Sequence, residues 1–244
     1  MDLNDCLRLL AGDFGDDQLG ARQNFAQINF LLRIHLHVRE RHLSPATNAE
    51  HDAFGFDFPP AGERLDRLEE ALQICRAMFT EEAPSFAGKH SRIEKALNIP
   101  RPVQPNGPRI MVGGSGEKRT LRLVAQYADM CNINGSPDTI RHLLEVLRGH
   151  CADVGRDPGE ITTTRLGSLF LTSSAEEAEQ TAGFLRDAAG ADFEERFTVG
   201  DPSAVIDQVD ALVDAGLDEL IFNLPFADPA TVRRAGELLV ARFG

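Results

Sequence analysis

Residues 108 to 129 impose the strongest constraint on what this chain can become. The short apolar run Ile110-Met111-Val112 reads as a buried strand. Gly113, Gly114, Ser115 and Gly116 follow, and then a helical pattern with Leu121, Val124 and Ala128 on one face. Strand, glycine turn and helix make a βα unit. Its turn has the chemistry of an anion site. Glycines let a ligand approach the backbone, and the new helix directs unpaired N–H groups and its positive dipole end at whatever sits there.

The spelling narrows this. A P-loop requires Gly-Lys-Ser/Thr, but Gly116 is followed by Glu117. The dinucleotide fingerprint requires a third small residue, and Arg119 stands there. A phosphate is the natural guest, although the same pattern also serves a tight βα turn with no ligand, since glycine-rich turns are common in barrels and open sheets.

Length and charge restrict the partners. With 244 residues and 42% hydrophobic content, the chain suffices for one α/β domain of barrel size or two small domains. A formal net charge of −13 argues against nucleic acid or an anionic membrane as the main partner. No stretch has the ~18 to 20 apolar residues of a membrane span, and Met1-Asp2-Leu3-Asn4-Asp5 lacks the basic start of a signal peptide. Cys6, Cys75, Cys131 and Cys151 form no Cys-x-x-Cys pair, so a reducing cytoplasm is expected.

Taken in order, the chain offers a short helix at Leu3 to Leu10, then strict period-two alternation over 28–39, which reads as a long half-buried strand. His35 and His37 share its polar face. A third metal ligand is not supplied nearby, so two solvated histidines are expected and no metal site. Residues 40–60 are irregular and end in an aromatic loop stopped by Pro59-Pro60. A helix then carries Leu65, Leu68, Leu72, Cys75 and Phe79 as one stripe. Residues 85–93 read as a small hairpin around Gly88, and the proline-rich stretch 98–108 as an extended connection.

After Ala128 the βα pattern repeats, with strands expected at 129–133, 161–172 and 220–222. Helices are expected at 137–153, at 174–188 from a Ser-Ser-Ala-Glu-Glu cap, after Gly200-Asp201-Pro202-Ser203 with Val205, Val209, Leu212 and Val213 inward, and at 228–242. Strands spaced by helices mean parallel βα units, four from residue 108 onward.

Several segments together carry a family resemblance. They are Glu63-Arg64-Leu65-Asp66-Arg67-Leu68-Glu69-Glu70-Ala71-Leu72, Gly88-Lys89-His90, Pro100-Arg101-Pro102-Val103-Gln104, the turn Gly113–Gly116 with Thr120 to Asp129, Asp214-Ala215-Gly216-Leu217-Asp218, and Phe222-Asn223-Leu224-Pro225. From about Ala49 to Gly244 the chain resembles the luciferase-like monooxygenase family, and within it the branch that uses the deazaflavin coenzyme F-420. The resemblance implies a (β/α)8 barrel that binds FMN or coenzyme F-420 at the C-terminal ends of its strands. The cofactor phosphate would lie on Gly113, Gly114, Ser115 and Gly116. It implies hydride transfer or oxygenation of a small organic substrate, with the cofactor carrying the reaction, and a homodimer or other homo-oligomer.

The N-terminal side departs from that pattern. Family members place three to four βα units ahead of the segment resembling Glu50-His51, and a βαβ unit takes ~30 residues, whereas about fifty residues stand there. The expectation is an atypical segment at 1–46, with Asn48 and Glu50-His51 as the last family remnant, and a partial barrel domain at 47–244 in which the first three to four units are missing or replaced. Ser91 stands where the family usually has an aromatic residue. Lys118 and Arg119 are candidates to add charge at the turn, while His51, His90 and Glu94 are weak candidates for acid–base work and read more readily as structural. No catalytic residue is assigned. The alternative is a catalytically impaired remnant, or a binding or assembly module, that retains only the phosphate turn.

Overall fold

The computed structural model describes residues 57–243 together with His51, Phe54 and Gly55. The expected helix at Leu3 to Leu10, the alternating strand with His35 and His37, Cys6, and the boundary at residue 46 lie outside the described residues. The architecture is α/β, of (β/α) barrel type. Five parallel strands form one open arc among the described residues.

Helix α1 (Ala61–Thr80) comes first and buries Leu68, Ala71, Leu72, Ile74 and Cys75. A two-residue hairpin follows, β1 (Phe86–Ala87) against β2 (Arg92–Ile93). Its loop is fastened to α1 by one carboxylate. Glu70 accepts from the N–H groups of Lys89 (2.6 Å), His90 (2.9 Å) and Ser91 (2.7 Å). Gly88 permits this approach, because a Cβ there would lie 2.4 Å from the Glu70 carboxyl carbon. Burial alone would raise the Glu70 pKa, but the three N–H groups outweigh it and hold it below its ordinary value. Glu70→Gln should therefore loosen the loop, at a cost of about 1 kcal/mol. Hydrogen exchange at the Lys89, His90 and Ser91 amides checks this; unchanged protection would show that the carboxylate charge is not what holds the loop.

The arc then builds in βα steps: β3 (Met111–Gly113), α2 (Thr120–Tyr127), β4 (Met130–Asn132), α3 (Pro137–Val154) and the ten-residue β5 (Thr162–Leu171). It continues with α4 (Ala175–Ala189), the one-turn α5 (Phe193–Arg196), β6 (Phe197–Gly200), α6 (Pro202–Asp214), β7 (Glu219–Asn223) and α7 (Pro229–Phe243). The helix starts follow local chemistry. Ser136, Ser174 and Asp201 each accept from an N–H in the first turn, and Pro137 and Pro202 stand where a missing donor costs nothing. Gly155 ends α3 at φ 69°, and Gly216, at φ 103°, follows α6.

Strand β5 organises the sheet. Its residues 162–164 pair with β4, 164–168 with β7 and 168–171 with β6. One sheet face carries Val112, Cys131 and Ile133 into a core with Leu121, Val124, Leu144 and Leu147 from the helices. The opposite, inner face carries Met111, Met130, Asn132, Thr162, Thr164, Ile221 and Asn223, as the register requires.

Three expectations need correction. Strand β6 escaped the periodicity reading, because Phe197-Thr198-Val199 is too short to show a period, so the units number five rather than four. Strands β3 and β7 are buried on one face only, with Met111 42% and Ile221 41% exposed. Val213 points outward and is also 42% exposed; the inward stripe of α6 is Val205, Val209 and Leu212. The hairpin around Gly88, helix α1 and the strand and helix at 161–172 and 174–188 lie where the sequence places them, to within a residue or two.

Candidate cofactor site

The glycine turn leaves the C-terminal end of β3. Gly113 closes the strand with ordinary backbone, and a Cβ added there would meet only the Asn132 carbonyl oxygen, at 3.9 Å. Gly114 adopts φ 126°, which non-glycine residues scarcely reach. Its N–H donates to the Asn132 carbonyl (2.9 Å), which ties the turn to β4. Ser115 Oγ donates to the Asn134 carbonyl at 3.2 Å, and the Leu121 N–H donates to the Gly116 carbonyl at 3.1 Å. The N–H groups from Ser115 to Arg119 have no acceptor among the described residues.

The other end of α2 is the reverse case. Arg156 donates to the Ala125 and Ala128 carbonyls (3.1 and 2.8 Å), and Arg76 to the Tyr127 carbonyl (2.7 Å). Two guanidinium groups therefore satisfy the negative end of the helix, while its positive end opens unsatisfied onto the turn. The helix has no side-chain N-cap. A set of unpaired N–H groups on a glycine turn, with free space over Gly113, fits a phosphate.

Arg119, beside the turn, is engaged elsewhere. Arg119 reaches Asp66 at 2.7 Å and the Gly62 carbonyl at 3.1 Å, so it pins α2 to α1. Lys118 is exposed. The Glu117 carboxylate lies 3.3 Å from His142 Nε2, on α3. Among the weak acid–base candidates, His90 sits mostly buried with Nδ1 3.9 Å from Glu63 and Nε2 4.0 Å from Asp66, beside α1. Asp66 thus brings His90 and the Arg119 side chain together beside α1. Glu94 pairs locally with Arg92 at 3.2 Å, as expected of a structural ion pair. His51 stacks edge-on against Phe58 with ring centroids 4.9 Å apart.

Sequence reading missed the polar group beside the turn. Asn132 Nδ2 donates to Thr164 Oγ1 (2.9 Å), which in turn donates to the Cys131 carbonyl (3.0 Å). Asn132 and Thr164 share the inner face with Asn223 at the end of β7. The single polar residue Asn132 between Cys131 and Ile133 was the available signal. Among the described residues there is no cluster of three or more metal-ligating side chains, and Cys75, Cys131 and Cys151 are free thiols, all buried. No helix of the described residues is long and apolar enough to cross a membrane.

Comparison with known proteins bears on the family and the fold. Over 207 residues the chain is 28% identical to an F420-dependent glucose-6-phosphate dehydrogenase from Kineococcus radiotolerans, covering 72% of this chain and 59% of that protein. A protein of the same description from Intrasporangium calvum is 27% identical over 209 residues, covering 73% and 60%. The chain thus spans about three fifths of the length of these curated relatives. Among solved structures, the coenzyme F420-dependent tetrahydromethanopterin reductase from Methanopyrus kandleri superposes with a TM-score of 0.64 at 17% identity, covering 83% of this chain and 72% of that one. A long-chain alkane monooxygenase superposes at 0.62 and 18%, covering 78% and 58%. These likenesses carry the fold. The model of the luciferase-like monooxygenase family matches residues 45–196, more than half of the sequence, and the chain belongs to that family.

Proposed function

We propose that this chain is an oxidoreductase that holds a phosphate-bearing flavin or deazaflavin, FMN or coenzyme F-420, with the phosphate on the N–H groups of the Gly113–Gly116 turn. The observation that carries this is the run of unaccepted N–H groups from Ser115 to Arg119, at the open positive end of α2. Coenzyme F-420 is the favoured arm, because two relatives that match over 207 and 209 residues are described as F420-dependent glucose-6-phosphate dehydrogenases. Once bound, such a cofactor supplies hydride or electron transfer at its ring. The chain's own part is to fix the phosphate and to offer Asn132 and Asn223 along the inner face as polar contacts, with the fully buried Thr164 holding Asn132 in place. A small organic molecule is the proposed substrate, a homodimer the proposed assembly, and the cytoplasm the proposed setting.

Titration of the purified chain with coenzyme F-420 and with FMN, followed by fluorescence, tests this. Saturable binding of one of them is expected. Gly113→Asp should weaken it at least tenfold, since the added carboxylate faces the same donors and the backbone there tolerates a side chain. Absence of binding to both at high micromolar concentration would sink the proposal. One observation favours a second reading, an impaired remnant or assembly module: the inner sheet face is open at Met111 and Ile221. That reading expects self-association without cofactor binding. A monomer that binds cofactor and turns over would contradict it.

A further inference from the structure

A cavity lies on the side of the sheet opposite the glycine turn, in the helix layer. It has a volume of about 410 Å³ and opens between α4, α5, β6 and α6. Ala178, Ala182, Phe193, Phe197, Ala211 and Leu212 supply its apolar wall. This volume is many times the ~30 Å³ share of a water molecule and falls within the ~300 to 1,000 Å³ of small-molecule sites.

Arg165 lines this cavity and is only 1% exposed. On β5 it alternates with Thr164, which faces Asn132, so the cavity and the glycine turn lie on opposite faces of the sheet. Its Nη2 donates to the carbonyls of Glu194 and Glu195, at 3.2 and 2.9 Å. Nε and Nη1 are buried and have no acceptor among the described residues. Gly167 makes room for the guanidinium, because a Cβ there would lie 2.8 Å from Nη1. Burial lowers the Arg165 pKa, and the Glu195 charge opposes that only from a distance. An arginine kept in such a place, with two of its donors unpartnered among the described residues, is costly unless an anion completes it.

We propose that this cavity is a binding site for a small apolar carboxylic acid, with its carboxylate on the Arg165 guanidinium and its hydrocarbon part against the alanine and phenylalanine wall. The charges at the cavity select a singly charged anion. Glu179 is held by Arg186 at 3.0 Å, and Asp201 is engaged as the cap of α6 through the Ala204 N–H. These two carboxylates and Glu194 line the cavity, against Arg165 and Arg186, and together disfavour a phosphate, which carries more charge and no apolar body. The site does not depend on the cofactor turn, and its ligand differs in kind from a flavin.

Calorimetric titration of the intact chain with sodium hexanoate, hexanol and inorganic phosphate tests the assignment. Hexanoate is expected to bind saturably, at least tenfold more tightly than hexanol, with no binding of phosphate. Ala178→Leu, which fills the cavity and leaves Arg165 in place, should weaken hexanoate at least tenfold. Arg165→Met should abolish the preference for the acid over the alcohol. A crystal structure with hexanoate should show its carboxylate within hydrogen-bond distance of Arg165. The proposal is overturned if hexanoate fails to bind the wild-type chain, if hexanol binds equally well, if phosphate binds instead, or if the cavity holds water alone. Should Arg165→Met fail to fold, Ala178→Leu decides: hexanoate affinity unchanged in that variant also overturns the site.

Discussion

Leu121→Ala is expected to lower stability by about 3 to 4 kcal/mol, in the range of large-to-small substitutions at fully buried leucines. Leu121 is 0% exposed, on the first turn of α2, among Val112, Val124, Leu144 and Leu147 of the main core. Its N–H also donates to the Gly116 carbonyl, so the residue that fills the core also closes the glycine turn. Truncation leaves a void that the surrounding β3, α2 and α3 side chains cannot fill without moving the turn. A drop in melting temperature of about 10 °C should follow for a chain of this size. Chemical denaturation checks this, by a lower midpoint with an unchanged slope. Val213→Ala is the paired control. At 42% exposure it should change stability by no more than about 0.5 kcal/mol. If the two variants behaved alike, the assignment of the core to this face of the arc would fail.

The contrast between those two residues shows what the sequence carried. Leu121, Val124 and Ala128 recur at helical spacing behind a glycine turn, and period alone places them inward. Val213 sits beside Leu212 on α6, where two adjacent apolar residues leave the edge of the stripe ambiguous. Only packing against α3 and β6 resolves it. The same limit applies to β6, since four residues cannot display a period. It also applies to Leu220-Ile221-Phe222, whose apolar run reads as buried on both faces although Ile221 opens onto the inner face.

The candidate site was legible in one part only. Glycines that permit close approach, followed by a helix start, are a local pattern, and Gly113 to Gly116 stand in the structure as that pattern requires. The partners that give the turn its polarity are not local. Arg156 and Arg76 reach the far end of α2 from 28 and 51 positions away, and Asn132 finds Thr164 across 32 positions. Arg119 shows the converse error. Its position beside the turn suggested a phosphate contact, but Asp66, 53 positions back, takes it. Nor does any sequence period announce Arg165: a lone cation within a β-rich run ordinarily reads as solvated, and only the fold places it in the helix layer.

Asp129 is the second residue whose loss should be large, and it makes the fold sensitive to pH in a stated direction. Its carboxylate accepts from Arg76 Nη2 at 2.7 Å and from the Ile110 N–H at 2.7 Å, so it binds α1 and the start of β3 to the end of α2. Burial alone would raise its pKa. The Arg76 hydrogen bond and the Ile110 N–H outweigh burial, and the Arg76 and Arg156 charges add to them, so the carboxyl stays below its ordinary value. Asp129→Ala leaves a half-buried guanidinium and a backbone N–H without their acceptor, at a cost of about 2 kcal/mol. The pair is partly exposed, so water recovers some of what a fully buried pair would lose. Because the folded-state pKa is depressed, the contribution is complete above the unfolded value of about 3.9 and is lost as pH falls through the lower folded value. The stability advantage of the wild-type chain over Asp129→Asn should therefore be constant from pH 7 to about 5, shrink below about 4, and vanish once the carboxyl is protonated in both states. Urea denaturation of both chains across that range measures it. A gap that stays constant down to pH 3 would mean that the Asp129 charge contributes nothing and that Arg76 is held by the Tyr127 carbonyl alone.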